Sequence, residues 1–232
     1  MTKIDFASLY HRFDAPIAHF DCGARCAPHN ERGVPFCCDT CHAVPAVYDA
    51  EWKYLQANTD LWHPWLGRSP TERRRLQEET PEGMILLECK GSQFCQRQFR
   101  SLTCRAFPFF PYITRDDWFI GLTYYWEYEY ACWVISNLHV VTNEYLAQFF
   151  AAFDELFEHM PQERESYRQY SMSMRRVFGR RKRAIPLLHR NGKVYKITPR
   201  NGRMRRVDAR SLPAFGPYKI ARELPFTDES QP

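Results

Sequence analysis

The sequence predicts an α+β fold, and three patterns predict it. Capped, amphipathic segments mark helices, short apolar or alternating runs mark strands, and two Asn-Gly steps mark tight turns near the C-terminus. At 232 residues, 44% of them hydrophobic, the chain can bury a full core. Aromatic residues make up 16% of it, which favours a rigid core shielded from water.

Taken in order, Asp49 to Ala57 reads as a helix with Trp52 and Leu55 three apart on one face. Ser69-Pro70-Thr71-Glu72 has the form of a helix start, a capping serine followed by proline at the first helical position. Glu72 to Glu79 continues that helix until Pro81 and Gly83 close it. Met84 to Glu88 reads as a buried strand leading into Cys89. Trp118 to Tyr130 is expected to be strand-rich: Gly121 interrupts it, and Trp126, Tyr128 and Tyr130 alternate with Glu127 and Glu129. The clearest helix is Glu144 to Met160, capped by Asn143 and stopped by Pro161. Its stripe of Leu146, Phe149, Phe150, Phe153, Leu156, Phe157 and Met160 is a core face. Beyond Pro161 the chain is polar and basic through Arg183. Ile185 to Asp208 then reads as a three-stranded meander with type I′ turns at Asn191-Gly192 and Asn201-Gly202. Pro213, Pro217 and Pro225 mark an irregular tail.

Charge divides the chain. Residues 1–160 carry 14 basic and 21 acidic side chains, a balance of −7, whereas residues 161–232 carry 18 and 6, a balance of +12. This predicts two regions: a cysteine-rich one (1–160) ending in the amphipathic helix, and a basic one (161–232) containing the meander. Met1 to Tyr10 has no basic region, long apolar stretch or small-residue cleavage site, and no apolar run approaches bilayer length. The expectation is a cytoplasmic protein with no membrane partner.

In a reducing compartment, clustered cysteines point to metal or redox chemistry rather than disulfides. Five of the nine lie within twenty residues, at Cys22, Cys26, Cys37, Cys38 and Cys41, with His42 next to the last. Cys89, Cys95 and Cys104 follow, and Cys132 sits inside an aromatic run. Thiolates are soft ligands for zinc and iron–sulfur clusters, and close pairs bring little loop-closure entropy to a site. Cys22-x3-Cys26 and Cys38-x2-Cys41 could build one four-thiolate site, and Cys89, Cys95 and Cys104, with Cys132 either a fourth ligand or a buried hydrophobe, could supply a second or join a single site assembled from both halves. Adjacent cysteine side chains normally diverge, so Cys37 and Cys38 are expected to serve different sites, or one of them to pack inward. The spacing leaves zinc and iron–sulfur both open, since neither ferredoxin pattern is present. His42 is expected in a polar role beside the thiols.

The run Cys22-x3-Cys26…Cys37-Cys38, followed by Cys89…Cys95…Cys104-Arg-Ala-Phe-Pro-Phe109, resembles the YkgJ-type cysteine-cluster family. That family is described as zinc- or iron-chelating and related to flagellin N-methylase. The resemblance covers roughly residues 20–110. It implies Cys22, Cys26, Cys37, Cys38, Cys95 and Cys104 as ligands, with Cys89 beside them and Glu51 at the family's acidic position. Ten residues separate Cys26 from Cys37, where the family has a shorter gap.

The resemblance also raises lysine N-methyltransferase-like activity, which needs S-adenosylmethionine. The sequence has no glycine-rich loop after a strand, no phosphate loop and no nucleophile elbow. The basic region raises a third class of function. Arg175, Arg176, Arg180, Arg181, Lys182 and Arg183 are six cations in nine residues, a field that would attract nucleic acid or another polyanion, or balance the acidic half of the same chain.

Overall fold

A computed structural model describes residues 4–221. Its helices and antiparallel sheets make the α+β class plain. The N-terminal part is built from α1 (Phe6–Arg12), α2 (Gly23–Cys26), β1 (Ala46–Tyr48), α3 (Asp49–Asn58), β2 (Trp62–Pro64), α4 (Pro70–Glu79) and β3 (Met84–Cys89). There β3 pairs antiparallel with β1 on one side and β2 on the other. Both expected helices form, and Ser69 accepts a hydrogen bond from Glu72 N at the start of α4.

The chain continues through α5 (Leu102–Ala106), β4 (Phe109–Ile113), β5 (Phe119–Tyr124), α6 (Trp133–Ser136), α7 (Asn143–His159), α8 (Pro161–Arg180), β6 (Ile185–His189), β7 (Val194–Ile197), β8 (Met204–Arg206) and α9 (Tyr218–Ala221). Strands β4 to β8 form one antiparallel sheet in sequence order. Thus β6, β7 and β8 extend the hairpin of β4 and β5. At the join the backbones pass so closely that a Cβ on Gly121 would sit 2.6 Å from Leu188 O. Helix α8 packs on β4, and α7 packs on α8. One hydrophobic core runs from Phe6 and Leu9 through Phe149 and Phe153 to Ile185 and Leu212, so it draws on both charge regions.

Four expectations change. The cap of α7 is Thr142, whose Oγ1 accepts from Tyr145 N and donates to Pro16 O. Pro161 ends α7 but also opens α8, a 20-residue helix, because proline suits the first helical turn as well as it blocks a continuing one. The alternation at Trp126 to Tyr130 is not a strand: β5 stops at Tyr124, and Trp126–Tyr128 forms a 3₁₀ turn. The Asn-Gly turns also differ in type. Gly192 and Gly202 have φ of 73° but Asn191 and Asn201 are not left-handed, which excludes type I′. Asn191 and Asn201 instead accept from the N–H two residues on. In the tail, Pro213 and Pro217 lie outside regular structure, and Pro225 lies outside the described residues.

Several arginines of the basic run belong to this architecture. Arg175 is buried, donates to Ile113 O at 2.8 Å and lies over the Tyr112 ring. Arg183 grips Glu129 with both Nη groups at 2.8 and 2.6 Å and stacks between Phe178 and Phe215. Reversing Arg183 to glutamate should therefore destabilise the fold by about 2 kcal/mol or more, since it leaves half-buried Glu129 facing a like charge. Arg180→Glu, at an exposed position, should change the melting temperature little. Thermal unfolding of the two variants checks the difference.

Candidate metal centre

The thiols arrive from separate segments. Cys22 and Cys26 flank and end α2, Cys37 and Cys38 sit on a 3₁₀ turn (Phe36–Cys38), and Cys89 ends β3. Cys95 follows a second 3₁₀ turn, Cys104 lies on α5, and Cys132 caps α6. All nine cysteines are free thiols.

The scaffold fixes these segments by hydrogen bonds to buried groups. Glu51, fully buried on α3, accepts from Leu102 N at 2.6 Å, Tyr10 OH at 2.5 Å and Tyr48 N at 3.3 Å. Burial raises its pKa, and these three donors oppose the rise. Glu51 therefore holds the first turn of α5, while Ser101 Oγ accepts from Cys104 N. At the other end of α5, Tyr145 OH reaches the carbonyls of Arg105 and Ala106 at 3.1 and 3.0 Å. Cys104 is thus carried on a helix pinned at both ends. The loop bearing Cys37, Cys38 and Cys41 is organised around buried Asp39, which accepts from Asn30 Nδ2, Arg32 Nη1 and Cys41 N at 2.9–3.0 Å. Burial works against that carboxylate, but the hydrogen bonds win and hold its pKa below the ordinary value.

Eight thiols share one electrostatic neighbourhood with Cys38 at its hub. Negative charge on Cys38 raises the pKa of Cys26, Cys89 and Cys104, and Cys132 feels Cys22 and Cys26. Burial is the larger cause in each of these, and it pushes Cys22 to about 11 and Cys104 to about 12. Contrary to the expectation of divergence, Cys37 and Cys38 turn to the same side, with Sγ atoms 3.9 Å apart. The two thiols can share one proton, and their contact raises Cys37 and lowers Cys38. Arg100 is the cation of the neighbourhood, its Nε donating to Cys95 Sγ at 3.1 Å.

Among the described residues, no three histidine, cysteine, aspartate or glutamate side chains are arranged to hold a metal ion. The thiols share a region without standing at ligating separations. The Cys37–Cys38 distance does match the edge of a zinc tetrahedron, about 3.8 Å for Zn–S bonds of about 2.3 Å. By donor chemistry the set fits a thiophilic metal; in geometry it is a gathered set whose side chains must turn inward. Cys41 stands apart, exposed, with Arg32 Nη1 donating to its sulfur at 3.3 Å. His42 packs against Phe36 at 4.8 Å, its Nε2 lying 4.0 Å from Asp39. Cys132, which the sequence leaves open between a second-set ligand and a packed hydrophobe, falls in the same neighbourhood.

The chain matches no family model, no curated protein and no solved structure to which it was compared. No helix among the described residues is long and apolar enough to cross a membrane.

The lowered pKa of Asp39 gives a signed prediction. Its contribution to stability is full above the unfolded carboxylate pKa of about 3.9 and is lost as pH falls through the lower folded value. Asp39→Asn should therefore destabilise the protein at neutral pH, and the gap from the parent should close below about pH 4. Denaturant titrations between neutral and acid pH measure it; a gap independent of pH would mean that the carboxylate charge contributes nothing.

Proposed function

We propose that this protein binds zinc or an iron–sulfur cluster through the cysteines gathered around Cys38. The reading rests on the cysteine spacing in the sequence, on the Cys37 and Cys38 sulfurs lying 3.9 Å apart, and on the mutual electrostatic influence of eight thiols from separate segments. A cysteine that merely fills space behaves as a small hydrophobe, and nothing about packing asks eight of them to share one region. Cys22, Cys26, Cys37, Cys38, Cys89, Cys95 and Cys104 would hold the metal, with Cys132 beside them and Cys41 outside the group. When bound, the metal supplies the positive charge that lets buried thiols ionise. The protein's part is to hold α5 and the Asp39 loop so that the thiols can turn toward a common point. The resemblance of the cysteine order to the YkgJ-type family supports the same chemistry.

Purified without oxygen, the protein should contain tightly bound zinc, or iron with labile sulfide. Cys26→Ser and Cys38→Ser should lower metal content and melting temperature together, because ligand loss removes binding energy that is also folding energy. Cys41→Ser should leave both unchanged. A folded, metal-free protein with nine titratable thiols would refute the reading.

One observation favours a second reading, a polyanion-binding edge at β7 and β8. Lys196 stands directly opposite Arg205, and like charges so paired destabilise a sheet unless an anion lies between them. Arg203, Arg205 and Arg206 are exposed and make no ion pair among the described residues. Tyr195 and Arg206 pair on the opposite face of these strands, where the Tyr195 ring packs on His189. This edge replaces Arg175 and Arg183 of the sequence-based set, which the fold uses internally. Duplex DNA or RNA should bind with strong salt dependence. Replacing Arg203, Arg205 and Arg206 with glutamine should make the log–log salt slope shallower by up to about 3. An unchanged slope would remove this edge from the contact.

A further inference from the structure

Beside the thiols lies a cleft of about 360 Å³, within the usual range for small-molecule sites; Cys22 and Cys104 line its inner side, Asp14 and Asp21 its rim, and its remaining lining has no part in holding a metal. One wall is the irregular segment 13–22, which runs between α1 and α2 without regular structure. That wall is nevertheless fixed. Gln148 Oε1 accepts from Asp14 N and Ala15 N at 2.9 and 2.7 Å, and Thr142 holds the carbonyls of Pro16 and Ile17 at 3.0 and 2.9 Å. A loop so tied presents a preformed surface.

Three arginines face the cleft, and their hydrogen bonding separates their roles. Arg105 is spent on the backbone, donating to the carbonyls of Tyr10, Phe13, Arg97, Gln98 and Arg100. Arg97 directs Nε and Nη2 to Asp14 O. Arg100 is different. Its Nε donates to Cys95 Sγ, while its two Nη groups make no hydrogen bond among the described residues and no carboxylate stands within ion-pair distance of them. A half-buried guanidinium with an open fork matches the two oxygens of a carboxylate or the face of a phosphate. Phe20, 44% exposed and braced edge-on against Trp133 at 5.6 Å, adds an apolar flank beside it.

We propose that this cleft binds a small organic anion, its carboxylate or phosphate received by the Nη groups of Arg100 and its apolar body lying against Phe20. The site stands on the cleft and its unpaired fork, and it adjoins the proposed metal centre, since Cys22 and Cys104 line the same cleft and Arg100 holds Cys95. The competing account makes Arg100 only a counter-charge to the surrounding thiols, which predicts no affinity for added anions.

Calorimetry at low ionic strength with benzoate, phenyl phosphate and inorganic phosphate decides between them. The expected result is one site per chain for which benzoate and phenyl phosphate compete. Affinity should fall at least tenfold in Arg100→Gln and be partly restored in Arg100→Lys. Phe20→Ala, at an exposed position that should not disturb folding, should weaken both aromatic anions several-fold and leave inorganic phosphate unchanged. A preference for benzoate over phenyl phosphate would assign the natural ligand to the carboxylates, and the reverse to the phosphates. If Arg100→Gln fails to fold, the Arg100→Lys and Phe20→Ala results stand in its place. No saturable binding to the parent protein at millimolar anion overturns the proposal, as does affinity within twofold of the parent in both Arg100→Lys and Phe20→Ala.

Discussion

Holding many thiols in one half-buried place is the constraint on which the rest of this structure depends. A thiolate buried among other thiols is costly, because desolvation and neighbouring negative charge both oppose ionisation. The raised pKa values of Cys22, Cys26, Cys89 and Cys104 express that cost. A scaffold that keeps such groups together must be stiff, and the stiffness is visible in its hydrogen bonds. Glu51 ties α3 and α1 to the start of α5, Tyr145 on α7 ties its end, and Asp39 gathers the loop of Cys37, Cys38 and Cys41. Behind them the aromatic core supplies rigidity, with Phe149 and Phe153 stacked at 4.4 Å and Phe13 packed against Tyr145 and Phe149 of the same helix.

Arginine plays two opposed parts around this centre. Arg105 and Arg175 are buried and use their guanidinium groups to satisfy backbone carbonyls that sheet and helix leave open. Arg183 fastens the turn after α8 to Glu129 and to two aromatic rings. Arg100 joins the thiols through Cys95 while its two Nη groups stay uncommitted among the described residues. The excess of positive charge in the C-terminal third is therefore not a uniform field. Part of it is internal fastening, and part remains as the exposed edge at β8.

Local signals carried much of this fold. Ser69-Pro70, the stripe of Leu146 to Phe157 and the apolar run at Met84 each act within a few residues, so the elements they mark are readable. Helix α8 was hidden because Pro161 carries two meanings, and only the packing of Met174 and Phe178 into the core decides between them. Strand β4 lay inside the Phe-Pro-rich phrase after Cys104, where its pairing with β5 outweighs weak local preference. The candidate site shows the same division. Clustering singled out Cys22 to Cys41 as a group and left Cys132 open, but separating Cys41 from the group and placing Cys132 near it both required the tertiary fold. Arg175 and Arg183 read as surface charge from sequence, since nothing local tells a buried arginine from a solvated one.

The central claim is that the gathered cysteines form one thiolate-coordinated centre, and X-ray absorption at the metal edge of the anaerobically purified protein tests it most directly. The account predicts a first coordination shell dominated by sulfur, at about 2.3 Å for zinc or at a similar distance with an iron–iron scattering path for a cluster. A first shell of nitrogen and oxygen alone would contradict it, because the metal would then lie outside the cysteines that the fold brings together.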